Sequence, residues 1–164
     1  MTYNFDFRDL SLSVANYFAK KDKMCIKISF EKSIEIFSKP FNLIAFSKEG
    51  ETNGIMIVHY EEQLQESIEN GLPLNSGLAT QKTWICMESS MLEKNLELLD
   101  EQTGILLYKK NSRKDYQIKE YRNASKMHEY PFPNSILFDL LSIQSTEYWR
   151  LRNFEIKKAL INKI

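Results

Sequence analysis

Three short apolar runs, at 55–58, 84–87 and 105–108, constrain the fold of this chain more than anything else in it. Each is a block of large hydrophobic residues with no polar residue alternating through it, the pattern of a strand buried on both faces. Two segments of helical character lie between them. Residues 61–70 are acidic and are closed by Gly71 and Pro73. Residues 91–100 carry Leu92, Leu96 and Leu99 as an apolar stripe, with Ser89 or Ser90 as N-cap. Central strands alternating with amphipathic helices imply an α/β domain whose helices cover the sheet.

The flanking segments extend this sheet. Residues 9–21 read as a first helix, with Leu10, Leu12, Val14, Tyr17 and Phe18 at helical spacing and Asp9 or Ser11 as N-cap. Residues 24–30 alternate, Met24, Ile26, Ile28 and Phe30 against Cys25, Lys27 and Ser29, as a half-buried strand does. Residues 33–37 continue in β fashion. After Pro40, the apolar run 41–46, a polar turn over 48–54 and the strand 55–58 make a hairpin. Gly104 opens the strand at 105, 109–115 is a basic turn, and 116–122 adds an edge strand. Tyr130-Pro131-Phe132-Pro133 is a stiff connector, because both prolines disfavour helix before them. Asn134 caps a helix to about 143, and Ser145 or Thr146 opens a last one. Residues 1–164 read as a single domain, with a core over 1–125 and a helical extension over 126–164.

At 164 residues, 43% apolar and 27% charged, the chain has the composition of one globular domain. No stretch approaches the roughly 18–20 uninterrupted apolar residues of a membrane span. Asp6 and Asp9 stand where a secretory signal would be basic and then apolar. Cys25 and Cys86 sit alone in apolar runs and read as small buried hydrophobes in a reducing compartment. A cytoplasmic location without membrane attachment is the expectation.

Net charge is zero but unevenly spread: 10 Lys and Arg against 16 Asp and Glu over 1–108, and 12 against 6 over 109–164. Two basic groups interleave with aromatic residues. Lys109, Lys110, Arg113 and Lys114 lie beside Tyr108 and Tyr116; Arg150, Arg152, Lys157 and Lys158 lie near Tyr148, Trp149 and Phe154. Basic side chains grip phosphate and aromatic rings stack on bases, so both groups are candidate nucleic-acid contacts. They also fit a polar hairpin tip and an ordinary amphipathic helix. Trp149, Ile156, Leu160 and Ile164 fit docking of the last helix onto a partner chain or a second copy.

The common catalytic signatures are missing. The glycines form no phosphate-binding loop, there is no CxxC, HExxH or Gly-x-Ser-x-Gly, and two histidines leave little for a triad. No cofactor and no metal are expected.

The element order over about 9–125 resembles the core of the PD-(D/E)XK nuclease superfamily, which includes archaeal Holliday-junction resolvases, restriction endonucleases and small DNA-repair proteins described as MmcB-like. In that family a Pro-Asp begins one hairpin strand and Glu-X-Lys ends its partner. Here Pro40-Phe41-Asn42-Leu43-Ile44-Ala45-Phe46 sits at the first place and Ile55-Met56-Ile57-Val58-His59-Tyr60-Glu61 at the second. The run 84–87, the helix 91–100 and the strand from Thr103 to Tyr108 resemble the closing β-α-β. The resemblance implies a restriction-endonuclease-like central mixed sheet flanked by helices, with the C-terminal helical extension added.

The same alignment puts Asn42, Ile57 and His59 where the family has Asp, Glu and Lys. That chemistry needs two carboxylates for a hard divalent cation and a lysine to orient or activate water. Sliding the register by one offers only Val58 or Met56. Glu61, Glu62, Glu35 and Asp22 are the nearby carboxylates that could stand in. Glu61 and Glu62 equally fit a solvated helix N-terminus. His59 fits a strand end as well as a ligand or general base, and His128 fits a loop. The resemblance therefore implies a catalytically inactive nuclease-like domain that binds nucleic acid or a protein that processes it. Two other readings stay open. One is a protein-interaction or homodimeric module without nucleic-acid binding; the other is a metal-dependent nuclease with migrated acidic ligands.

Overall fold

The computed structural model of this chain describes residues 5–69, 80–111, 115–130 and 132–161. Leu10, Val14 and Phe18, spaced four apart, form the buried stripe of helix α1 (Phe5–Ala19). This helix starts earlier than its polar residues suggest. Ser11 and Ser13 lie inside it and donate to the carbonyls of Phe7 and Asp9, at 2.8 and 3.0 Å. Neither Asp9 nor Ser11 is therefore its cap.

Strand β1 (Lys23–Lys27) buries Ile26, while Met24 is exposed. The strand stops at Lys27 because Ser29 begins a helix. Its side chain accepts the Lys32 N–H, and α2 (Phe30–Phe37) follows where a strand was expected over 33–37. The buried residues of α2 are Ser33 and Phe37, one turn apart, and Ile34 faces solvent. Ser38, at φ 54°, ends the helix in the left-handed region and donates its N–H to the Ile34 carbonyl. The Ser33 hydroxyl then donates to the Lys39 carbonyl at 2.5 Å and accepts the Phe41 N–H at 2.8 Å, holding the chain for its turn into the next strand.

β2 (Leu43–Ser47) and β3 (Thr52–Ile57) form the hairpin, which begins before the apolar run because Thr52, Asn53 and Gly54 already pair with β2. α3 (Glu61–Glu69), β4 (Lys82–Glu88), α4 (Ser89–Asn95) with a 3-10 turn at Leu96–Leu98, β5 (Gly104–Lys110) and β6 (Tyr116–Arg122) complete the sheet. Ser89 and Ser90 do not cap α4; both lie inside it, and Glu88 holds the cap position without a side-chain bond. The six strands lie in chain order, antiparallel from β1 to β3, parallel from β3 to β5 and antiparallel again at β6. The chain is thus an α/β protein with a mixed sheet flanked by helices.

One face of the sheet packs on α1. Leu43, Ala45, Ile55, Ile57, Trp84 and Leu106 meet the α1 stripe, with the Phe18 ring edge-on to Trp84 at 5.7 Å. Two glycines mark where neighbouring rings lie against the strands. A Cβ at Gly54 would come within 2.5 Å of the Phe41 ring, and one at Gly104 within 2.3 Å of Trp84. Among the described residues both cysteines are free thiols.

Contacts divide the chain into two units, Met1–Phe132 and Pro133–Ile164. The first includes residues beyond the sheet: Ser125 and Met127 donate backbone N–H groups to the carbonyls of Gln102 and Gln81. Phe132 lies edge-on to Phe46 at 5.3 Å. The second unit contains one helix, α5 (Asn134–Ile161), rather than two. Thr146 does not open a new helix, because its hydroxyl is satisfied one turn back by the Ser142 carbonyl at 2.9 Å. Among the described residues no helix is long and apolar enough to cross a membrane.

Candidate functional site

Asn42 stands just before β2 and is fully engaged with the backbone of both neighbouring strands. Its N–H donates to the Ile55 carbonyl at 2.9 Å and its carbonyl accepts the Ile28 N–H at 3.0 Å. Its side-chain oxygen accepts the Ile57 N–H at 2.6 Å, continuing the β2–β3 ladder past the end of the strand. The hairpin thus brings Asn42 and Ile57 together, but as a structural joint. The Ile57 side chain is 4% exposed and belongs to the core under α1.

His59 lies beyond β3. Its N–H donates to the Gln63 side chain at 2.9 Å, its ring is edge-on to Tyr60 at 4.7 Å, and its buried Nδ1 has no hydrogen-bond partner. Glu61 and Glu62 open α3, and Glu61 pairs with Lys94 at 3.6 Å. Glu35 pairs with Lys32 on α2. Asp22 sits in a left-handed turn after α1. Among the described residues no three His, Cys, Asp or Glu side chains are grouped so that they could hold a metal ion. A carboxylate not singled out in the sequence, Glu88, ends β4 opposite Tyr108. Burial, and then the charge of Glu88, push the Tyr108 hydroxyl above its usual range.

Of the basic candidates, Lys109 and Lys110 end β5 and are exposed, with the Lys110 ammonium 6.0 Å from the centre of the Tyr116 ring. Arg113 and Lys114 lie outside the described residues. On α5, Arg150 and Arg152 are exposed, and the Lys157 side chain is likewise outside what is described. The β5–β6 pairing adds residues that charge counting alone did not pick out. Lys109 lies opposite Gln117, Leu107 opposite Lys119, and Tyr121 follows at the same spacing, 51% exposed.

The densest polar arrangement is elsewhere, where the C-terminal end of α1 meets the sheet. Lys23 on β1 and Lys82 on β4 share Glu51, at 2.7 and 3.0 Å. Fully buried Asn53 accepts the Trp84 indole N–H at 2.9 Å and lies 3.3 Å from the Lys23 ammonium. Across the sheet, Glu120 accepts from Lys21 and from the Tyr17 hydroxyl, both at 2.5 Å. Burial works against ionisation of Glu51, but the two lysines overcome it and hold the carboxyl down at about 2. Bonds from Lys21 and Tyr17 likewise lower Glu120. The Tyr17 hydroxyl is raised by burial and by Glu120. Lys23 and Glu51 line a cleft of about 770 Å3 whose rim includes Lys48 and Lys126.

This cluster was hidden in the sequence because Glu51 and Asn53 fall in the segment that reads as a turn. Extending the strand back from Ile55 at period two would have put Glu51, Asn53, Ile55 and Ile57 on one face. Its partners on β1, β4 and β6 are remote in sequence and give no local signal.

No protein-family model matches the chain, and no curated protein matches it. Among solved structures it is similar to SPO1766, a protein of unknown function from Silicibacter pomeroyi. The match covers 90% of this chain and 92% of that one at 15% identity, with a TM-score of 0.64. The two share a fold.

Proposed function

We propose that this chain is a restriction-endonuclease-like domain of the PD-(D/E)XK kind that has no catalytic metal site and acts in the cytoplasm by binding nucleic acid, or a protein that processes it. One observation carries the reading. The two positions where the family keeps its metal-binding acids are an amide engaged by a backbone N–H at 2.6 Å and an isoleucine in the core. Neither supplies the negative charge that a divalent cation requires. The helix-and-strand order over the resembling region supports the fold assignment, with α2 inserted between the first strand and the hairpin. Binding is supported by the exposed ladder of Lys109, Gln117, Lys119 and Tyr121, which offers phosphate contacts and a ring for stacking. The test is a cleavage assay in Mg2+ and in Mn2+ beside filter binding of single- and double-stranded DNA and RNA over a salt series. Intact nucleic acid with affinity falling as salt rises is the expected result. Cleavage overturns it, and no affinity for any form at low salt overturns nucleic-acid binding.

A second reading, a protein-interaction or homodimeric module, is favoured by α5. Phe138, Tyr148, Trp149 and Leu151 are exposed along that helix, between 57% and 72%. A mass that doubles with concentration in sedimentation equilibrium, and not in Trp149→Ala, would favour this reading.

A further inference from the structure

The charges of β5 and β6 are divided between the two faces of the sheet. Glu120, the one acidic residue of these strands, turns toward α1, where Lys21 and the Tyr17 hydroxyl engage it. Lys119 stands opposite Leu107, on the face away from α1, and Lys109 is its diagonal neighbour, about 7–8 Å off. Both lysines are exposed, and among the described residues neither meets a carboxylate. Two residues beyond Lys119, Tyr121 has no residue opposite it, because the β5–β6 register shifts between the pairs Leu106–Glu120 and Ile105–Arg122. Its ring is 51% exposed, and among the described residues neither ring nor hydroxyl has a partner. Residues two apart on a strand are about 7 Å apart, so one nucleotide can meet both Lys119 and Tyr121. The surroundings exclude a groove. The major groove of duplex DNA admits a helix or a free two-stranded ribbon, but β5 is paired with β4 on its other side and packed against α4. In a duplex the faces of the bases are also stacked on one another, out of reach of a ring on a sheet.

We propose that the β5–β6 surface binds unpaired nucleic acid in preference to duplex, with a base stacked on Tyr121 and the adjoining phosphates held by Lys119 and Lys109. An unpaired strand presents both things this surface can use: a free base face for the ring and a flexible line of phosphates for the two ammonium groups. The inference rests on the nucleic-acid reading above and adds the form of the ligand to it.

Fluorescence anisotropy at low salt tests it, using the full chain, a labelled single strand made as DNA and as RNA, and the duplex of the same sequence. The expected result is binding about tenfold or more tighter to the single strand. Tyr121→Ala should cost the single strand about tenfold and leave the duplex unchanged. Tyr121→Phe keeps the ring and should bind as wild type does. Lys119→Gln should weaken both forms and reduce the slope of log affinity against log salt by about 1. A strand of abasic sites keeps the phosphates and loses the bases, so wild type should bind it as weakly as Tyr121→Ala binds the intact strand. Duplex bound as tightly as single strand, or Tyr121→Ala weakening both alike, overturns this inference and leaves nucleic-acid binding standing. No affinity for any form overturns both.

Discussion

Replacing Glu51 by glutamine removes the carboxylate that Lys23 and Lys82 share while keeping the side chain's size. Both bonds are short, at 2.7 and 3.0 Å, and both lysines are largely shielded from water. A carboxyl held at about 2 instead of its ordinary 4.5 corresponds to at most about 3 kcal/mol of stabilisation. Glu51 is 24% exposed, so screening reduces that to about 1–2 kcal/mol at neutral pH. The sign follows from the depressed value. The contribution is complete above about 4.5, where the unfolded carboxyl is also ionised, and is lost as pH falls toward about 2. Urea unfolding of wild type and Glu51→Gln between pH 7 and pH 2.5 measures it. The variant should be less stable by about 1–2 kcal/mol at pH 7, and the two proteins should converge on acidification. A gap that is negligible at pH 7, or that stays constant down to pH 2.5, would show that the two lysines do not depend on this carboxylate.

Three further outcomes follow from the packing. Gly104→Ala puts a methyl group 2.3 Å from Trp84 and 2.8 Å from the Ala124 Cβ, so urea unfolding should show a loss of about 1–3 kcal/mol from overpacking. Asn42→Ala leaves the Ile57 N–H without its acceptor and should cost about 1–3 kcal/mol; Asn42→Asp keeps an acceptor there, should cost less, and should create no Mg2+-dependent cleavage, since Ile57 supplies no second acid. Burial pushes the Cys25 thiol up to about 11 and that of Cys86 higher still, so neither should react with a disulfide reagent at pH 8 in the native protein, and both should react in urea.

What the sequence made legible is what a two-sided burial pattern can encode. The apolar runs fell in β3, β4 and β5, and the edge strand β6 formed where its turn signal put it; the hairpin formed too, but 52–54, which read as turn, belong to β3. The failures have local causes. Ile34 and Ile36 alternate as a strand would, yet over eight residues alternation does not separate the two periods; Ser29 as a cap and the burial of Ser33 and Phe37 decided for α2. In α5, Ser145 and Thr146 read as a break, but a hydroxyl that bonds a carbonyl one turn back is tolerated inside a helix. The site divides the same way. The hairpin register, with Leu43 opposite Ile55, sets Asn42 beside the end of β3, and the sequence carries that much. The engagement of the Asn42 side chain by a backbone N–H, and the Lys23–Glu51–Lys82 cluster, depend on side chains meeting across strands, which one-dimensional spacing does not record.

The function proposed for this domain is binding to nucleic acid, or to a protein that processes it, without metal chemistry. Its most direct test is fluorescence anisotropy of labelled single-stranded DNA titrated with this protein, in EDTA and in Mg2+, with the strand's length read on a gel afterwards. Binding is expected in EDTA and no tighter in Mg2+, weaker at higher salt and weaker again in Lys119→Glu with Tyr121→Ala, with the strand intact. Binding that needs Mg2+, or a strand shortened only in its presence, would contradict it.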